Sequence, residues 1–158
     1  MRPKKRIDIF IKNMDLIKIL ECYFPDKSDV TIRSLHDEIT PHMNTLIKTW
    51  RKNADWRFSQ LLVNTGMVPN VPGMWYYMED EDVLIKTGNQ ARDVLLWGRN
   101  YDKDMNQLPK TEWMLIKDMS ADHIKAILKG KFTGHPVYLK AFKEELELRS
   151  HTDKDEEQ

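Results

Sequence analysis

The sequence predicts an α+β fold, with about five short helices packed on a small antiparallel sheet of about three strands. Three features point there. Met43, Leu46, Ile47 and Trp50 recur at helical spacing. Val94–Trp97 and Trp113–Ile116 are short apolar runs on either side of a polar stretch, the pattern of a long-looped hairpin. Ser120, with Met119 before it and Ile124 after it, carries a capped helix start and its hydrophobic staple.

The elements follow in order. Ile7, Phe10, Met14, Ile17 and Phe24 fall near helical spacing, and Asp15 is placed to cap a fresh helix over Leu16–Tyr23. The first 24 residues therefore read as two short helices in series. Ile7, Ile9 and Ile11 also alternate, which fits a short first strand instead. The stretch from Pro25 to Ser28 is a loop, and Pro41 breaks a helix. After Pro41 comes the Met43–Trp50 helix, closed by the basic Arg51 and Lys52. Asp55 is expected to cap a second helix, Trp56–Asn64, which Gly66 ends in a left-handed stop. Residues 68–73 are loop, and Met74–Met78 is expected to be a strand with large side chains on both faces. Glu79, Asp80, Glu81 and Asp82 suit the positive end of a helix dipole, and Gly88 ends that helix. Past the hairpin, a helix over Ala121–Lys129 stops at Gly130. Pro136 opens a last helix with Leu139, Phe142 and Leu146 on one face.

A length of 158 residues predicts one domain, placed at 1–149, with a polar, frayed tail at 150–158. The 25 basic and 25 acidic side chains cancel, which argues against a nucleic-acid coat. No run approaches the roughly 18 apolar residues of a membrane span, and Asp8, Lys12 and Asp15 interrupt any signal peptide. Cys22 is the only cysteine, so no internal disulfide forms, and a reducing, cytoplasmic setting is expected. Its neighbours Tyr23 and Phe24 suggest a buried, inert thiol.

Two segments carry a resemblance. The run Trp50-Arg-Lys-Asn-Ala-Asp-Trp-Arg-Phe-Ser-Gln-Leu-Leu-Val-Asn64, followed by the aromatic and acidic stretch 76–82, resembles a small uncharacterised family of bacteria and tailed phages. That family's pattern has Pro where this chain has Ala54. Leu115–Leu128, closing near Glu145–Arg149, resembles a strand, Asp-Met-x-x-x-His and acidic-helix module of small phage proteins. Together they span roughly half of the chain. The resemblance implies an accessory protein of a phage or prophage and carries no activity.

The candidate chemistry is modest. Asp55, Arg57 and Gln60 form a polar motif that reads either as a small site or as a cap, a bridging guanidinium and a corner hydrogen bond. The acidic run 79–82 supplies oxygen ligands for a divalent ion but cannot converge on one from a helix start, so no metal is expected. His36, His42, His123, His135 and His151 make no zinc signature. His123 reads as a ligand contact or as a packing histidine. Trp75, Tyr76, Tyr77, Trp97, Arg99, Tyr101 and Trp113 gather on the expected strands as the best binding surface. The alternative for them is core on one face and rim on the other. Arg2, Lys4, Lys5 and Arg6 form a basic arm, expected to be solvated.

The expected function is that of a non-enzymatic phage- or prophage-type accessory protein that binds a host or phage protein, to counter host defence. It uses no cofactor and can self-associate as a homo-oligomer. The expected partner- or ligand-binding residues are Trp75, Tyr77, Trp97, Arg99, Trp113 and His123. Two alternatives stand beside it. One is a small-molecule binder that sequesters a nucleotide signal; the other is a small enzyme or nucleic-acid binder.

Overall fold

The computed structural model describes residues 3–69, 78–130 and 134–156. The chain divides into two compact units, Met1–Asn89 and Gln90–Gln158. Helices and an antiparallel sheet are both present, so the fold is α+β. It has more helices than the five expected and, among the described residues, two strands rather than three.

The first unit is helical among its described residues. α1 (Lys5–Asn13) and α2 (Leu16–Tyr23) run in series, and the Asp15 carboxylate accepts the Lys18 N–H as its cap. The helical pattern prevails over the Ile7–Ile11 alternation because Ile7 and Phe10 share the buried face. Ser28 caps α3 (Asp29–Ile39). Pro41 interrupts the path with a single 3₁₀ turn before α4 (Met43–Lys52). α5 spans Phe58–Asn64, and Gly66, at φ +76°, makes the expected left-handed stop. α6 spans Asp80–Lys86 and ends near Gly88, at φ +111°.

Phe10, Trp50 and Phe58 form the aromatic centre of this unit. Their ring centroids lie 4.8–5.4 Å apart, within the range of favourable ring pairs. Arg6 is a correction to the expected solvated arm. It is 5% exposed and pairs with Asp80, which is 1% exposed. The helical phase of α1 turns Arg6 inward beside Ile7, and a polar turn supplies its acceptors.

The second unit begins with α7 (Ala91–Val94), a single turn where a strand was expected to start. The strands are β1 (Leu96–Tyr101) and β2 (Gln107–Leu115). They pair antiparallel, with Leu96 opposite Leu115, Gly98 opposite Trp113 and Arg99 opposite Glu112. Both strands extend into the polar stretch read as loop, because ladder bonds and one irregularity between Arg99 and Tyr101 accommodate Gly98, Asn100 and Pro109. The connection is tightened by Asp102, whose carboxylate accepts the N–H groups of Asp104 and Asn106, both at 2.9 Å. Met105 sits at the tip with φ +65°.

α8 (Ala121–Lys129) starts as expected. The Ser120 hydroxyl accepts the His123 N–H, and Met119 and Ile124 are buried as the staple. α9 (Pro136–Glu156) continues past residue 149, where the polar tail was placed. Its Phe142 packs edge-on to Trp97 at 5.2 Å, and its Tyr138 hydroxyl donates to the Leu96 carbonyl at 2.9 Å. Buried Glu145 accepts from Arg92 and Arg149 at 2.7–3.1 Å.

Candidate functional site: a groove between the hairpin and α8

The described residues of the second unit enclose an open groove of about 670 Å³ between β1, the hairpin tip and α8. Its apolar lining comes from Trp97, Tyr101, Met105 and Ile127. Arg99, Lys103, Asp102 and Asp122 carry its charges, two of each sign. His123 reaches it from the first turn of α8.

Trp97 through Lys103 all line the groove, and strand alternation sets which side chains stand together on one face of β1. Trp97 and Arg99 stand on one face of β1. Gly98 and its partner Trp113 stand on the other. A Cβ at Gly98 would lie 2.9 Å from both the Thr111 methyl and the Trp113 ring, so the glycine makes room for the indole. Trp113 is 36% exposed there and does not line the groove. The structure therefore brings Trp97, Arg99 and His123 together and sets Trp113 apart. Trp75 and Tyr77 lie outside the described residues, as does all of the expected 74–78 strand except Met78.

The roles of these residues differ from a simple aromatic platform. Trp97 is half-buried and braced by Tyr138 and Phe142, so it is as much core as contact. Tyr101 and Met105 are the exposed apolar groups at the lip. Arg99 pairs with Glu112 through one terminal nitrogen, while its buried Nε has no acceptor among the described residues. Burial, and then the neighbouring Arg99 charge, lower the His123 pKa below its ordinary value. Both influences favour the neutral imidazole, whose two ring nitrogens can donate one hydrogen bond and accept another. Tyr101 was named among the strand aromatics, and Met105 could have been found by noting that a hairpin tip exposes whatever large side chains it carries.

The polar motif in the first unit is structural in its bonds. Asp55 is exposed, and α5 starts at Phe58 rather than Trp56. The N–H of Phe58 is capped by the Asp80 carboxylate at 2.8 Å, not by Asp55. Gln60 accepts the Arg57 N–H at 2.9 Å, and the Arg57 guanidinium binds Glu79 at 2.7 and 3.1 Å. Arg6 completes the cluster by donating to the carbonyls of Ala54 and Trp56, both at 2.9 Å. Trp50 donates its indole N–H to the same Trp56 carbonyl at 2.8 Å. Arg57 and Gln60, with Arg6 and Trp50, thus fix the α4–α5 turn.

Cys22 is half-buried rather than buried, with its sulfur 3.8 Å from that of Met78. Among the described residues no three His, Cys, Asp or Glu side chains gather in a way that would hold a metal. No helix among them is long and apolar enough to cross a membrane. No protein-family model, curated protein or solved structure matches the chain.

Proposed function

We propose that the protein is a non-enzymatic accessory protein of phage or prophage type, and that it binds a segment of a host or phage protein in the groove between the hairpin and α8, in the host cytoplasm, to counter host defence. The groove carries the binding part of this reading. It is open, and its lining combines the apolar Trp97, Tyr101, Met105 and Ile127 with four charged side chains that balance. Apolar contacts beside charges of both signs suit a protein segment. A site for a polyphosphate would show a cation excess instead. The origin and the anti-defence role rest on the sequence resemblance alone.

A second reading, the sequestering of a nucleotide signal, is favoured by one observation. The Arg99 side chain, 35% exposed, lines the same groove as Tyr101 and His123. Its charge suits a phosphate oxygen, and an exposed tyrosine ring can stack a base.

A photo-crosslinking residue placed at Met105 separates the readings, with Val30, an exposed side chain of the first unit, as the control position. In a host lysate, a discrete adduct from position 105 but not from 30, competed by excess unlabelled protein, is the expected result. Equal labelling from both positions, or no adduct, contradicts the reading. Saturable micromolar binding of a nucleotide in equilibrium dialysis, lost in Arg99→Met, selects the second reading.

A further inference from the structure

We infer that the partner segment enters the groove as an added β-strand on the free edge of β1, centred on Gly98, and that this segment is extended, with an acidic side chain two residues from an apolar one. The inference rests on the groove reading of the proposed function and names the form its partner takes.

The first observation is which main-chain groups β1 leaves over. The register is regular from Leu96 opposite Leu115 to Arg99 opposite Glu112. Ile116 donates its N–H to the Leu95 carbonyl at 3.2 Å, so these two residues form a hydrogen-bonded pair. Antiparallel pairs alternate, which turns the main-chain groups of Trp97 and Arg99 toward β2 and those of Leu96 and Gly98 away from it. The Leu96 carbonyl agrees with this phase, because it takes the Tyr138 hydroxyl from α9 at 2.9 Å. Gly98 is the next outward residue. Among the described residues the sheet has no third strand to pair with its N–H and C=O. Such groups are what an incoming strand uses.

The second observation places that edge in the groove. Every residue from Trp97 to Lys103 lines it, where a sheet face would present alternate side chains. A Cβ on Gly98 would meet Thr111 and Trp113, on the face away from Trp97 and Arg99. Gly98 therefore meets the groove through its main chain.

The third observation is the chemistry on either side of Gly98. A residue opposite Gly98 on an added strand has one neighbour beside Trp97 and the other beside Arg99. Trp97 is apolar lining, as is Ile127 of α8. Arg99 and Lys103 are the cations of the hairpin wall. Asp102 spends its carboxylate on the N–H groups of its own turn, and Asp122 belongs to the α8 wall. An apolar side chain suits the first neighbour and a carboxylate the second. Alternate residues of a strand share a face, so the two stand at i and i+2.

The test uses the full chain, isotope-labelled for amide resonances, and a synthetic heptapeptide with the core leucine-threonine-glutamate-threonine-leucine. In the free protein the Gly98 amide should exchange with solvent about tenfold or more faster than those of Trp97 and Arg99, which the ladder protects. The peptide should shift the Gly98 resonance saturably and slow its exchange about tenfold near saturation. Methylating the amide nitrogens of both threonines, or instead those of the glutamate and leucines, should leave one peptide active and one silent, because a strand turns alternate amides to its neighbour. Replacing the glutamate with lysine should weaken binding about tenfold. A Gly98 amide already protected in the free protein overturns the inference, as does its indifference to about 10 mM peptide. Equal effects of the two methylations, or equal binding with glutamate and lysine, overturn it too. A crosslink from position 105 to a host segment that leaves Gly98 unmoved keeps the groove reading and removes the added strand, whereas the absence of that crosslink removes the groove reading itself.

Discussion

Asp80 holds together a turn that is far from it in sequence. Its carboxylate caps α5 at Phe58 and also takes a hydrogen bond from the buried Arg6. Its charge, after burial itself, pushes the neighbouring Tyr23 phenol up from its ordinary pKa. Asp80→Ala strands a buried guanidinium, so a loss of about 3–5 kcal/mol is expected in urea denaturation. A loss under about 1 kcal/mol would show that Arg6 is not held as described. His123 gives a second expectation at this scale. With the Arg99 charge removed by Arg99→Met, its pKa should rise toward the ordinary value, leaving only the lowering due to burial. Histidine proton shifts followed against pH report this directly, and an unmoved or lowered value contradicts the influence of the Arg99 charge. At this scale the sequence was informative about caps and misleading about partners. Ser120 and Asp15 act on residues three positions away, which a local reading can see. Arg6 and Asp80 are separated by most of the first unit, so the terminal run looked like a solvated arm and the acidic run like an ordinary helix start.

Among the elements, α9 depends on one buried carboxylate. Burial alone would raise the Glu145 pKa, but hydrogen bonds from Arg92 and Arg149 outweigh it and leave the pKa lowered. A lowered pKa means that stability is present above the unfolded value, about 4.3, and is lost as pH falls through the folded value. The attachment of α9 to α7 should therefore weaken in acid. Glu145→Gln should flatten the pH dependence of melting below about pH 5, at the cost of lower stability at pH 7. An unchanged acid limb would contradict the three-way pairing. The helices were the legible elements, since a periodic apolar face and a capping residue are local properties. The hairpin was legible as a hairpin but not in its extent. Strand ends depend on pairing, and the bulge near Tyr101 lets Asn100 and Pro109 enter strands that composition alone places in a loop. The groove followed the same division. Trp97, Arg99 and His123 were visible as chemistry, but the pleat that removes Trp113 from them needed the register.

At the scale of the molecule, both units are close to electrically neutral. Residues 1–89 carry 13 basic and 12 acidic side chains, and residues 90–158 carry 12 and 13. Neither unit has a single-signed field with which to repel its copies or to attract a polyanion. Solubility should accordingly pass through a minimum near pH 7, where the formal net charge is zero. Precipitant titrations at several pH values measure this, and a minimum displaced by more than about two pH units would contradict the charge count. Length suggests one domain, and within the chain the contacts cluster into two compact units on either side of Asn89. Nothing in the composition marks that division, because no proline- or serine-rich linker lies there.

Met105 is the one described non-glycine residue with a positive φ, and it is 76% exposed at the hairpin tip. An asparagine would occupy that backbone conformation with less strain and would expose no thioether. Met105→Asn should therefore leave the chain at least as stable to heat while weakening capture of the partner segment. The two readouts should therefore part at this one position, heat stability holding while capture falls, and a variant in which both move together would contradict the groove reading.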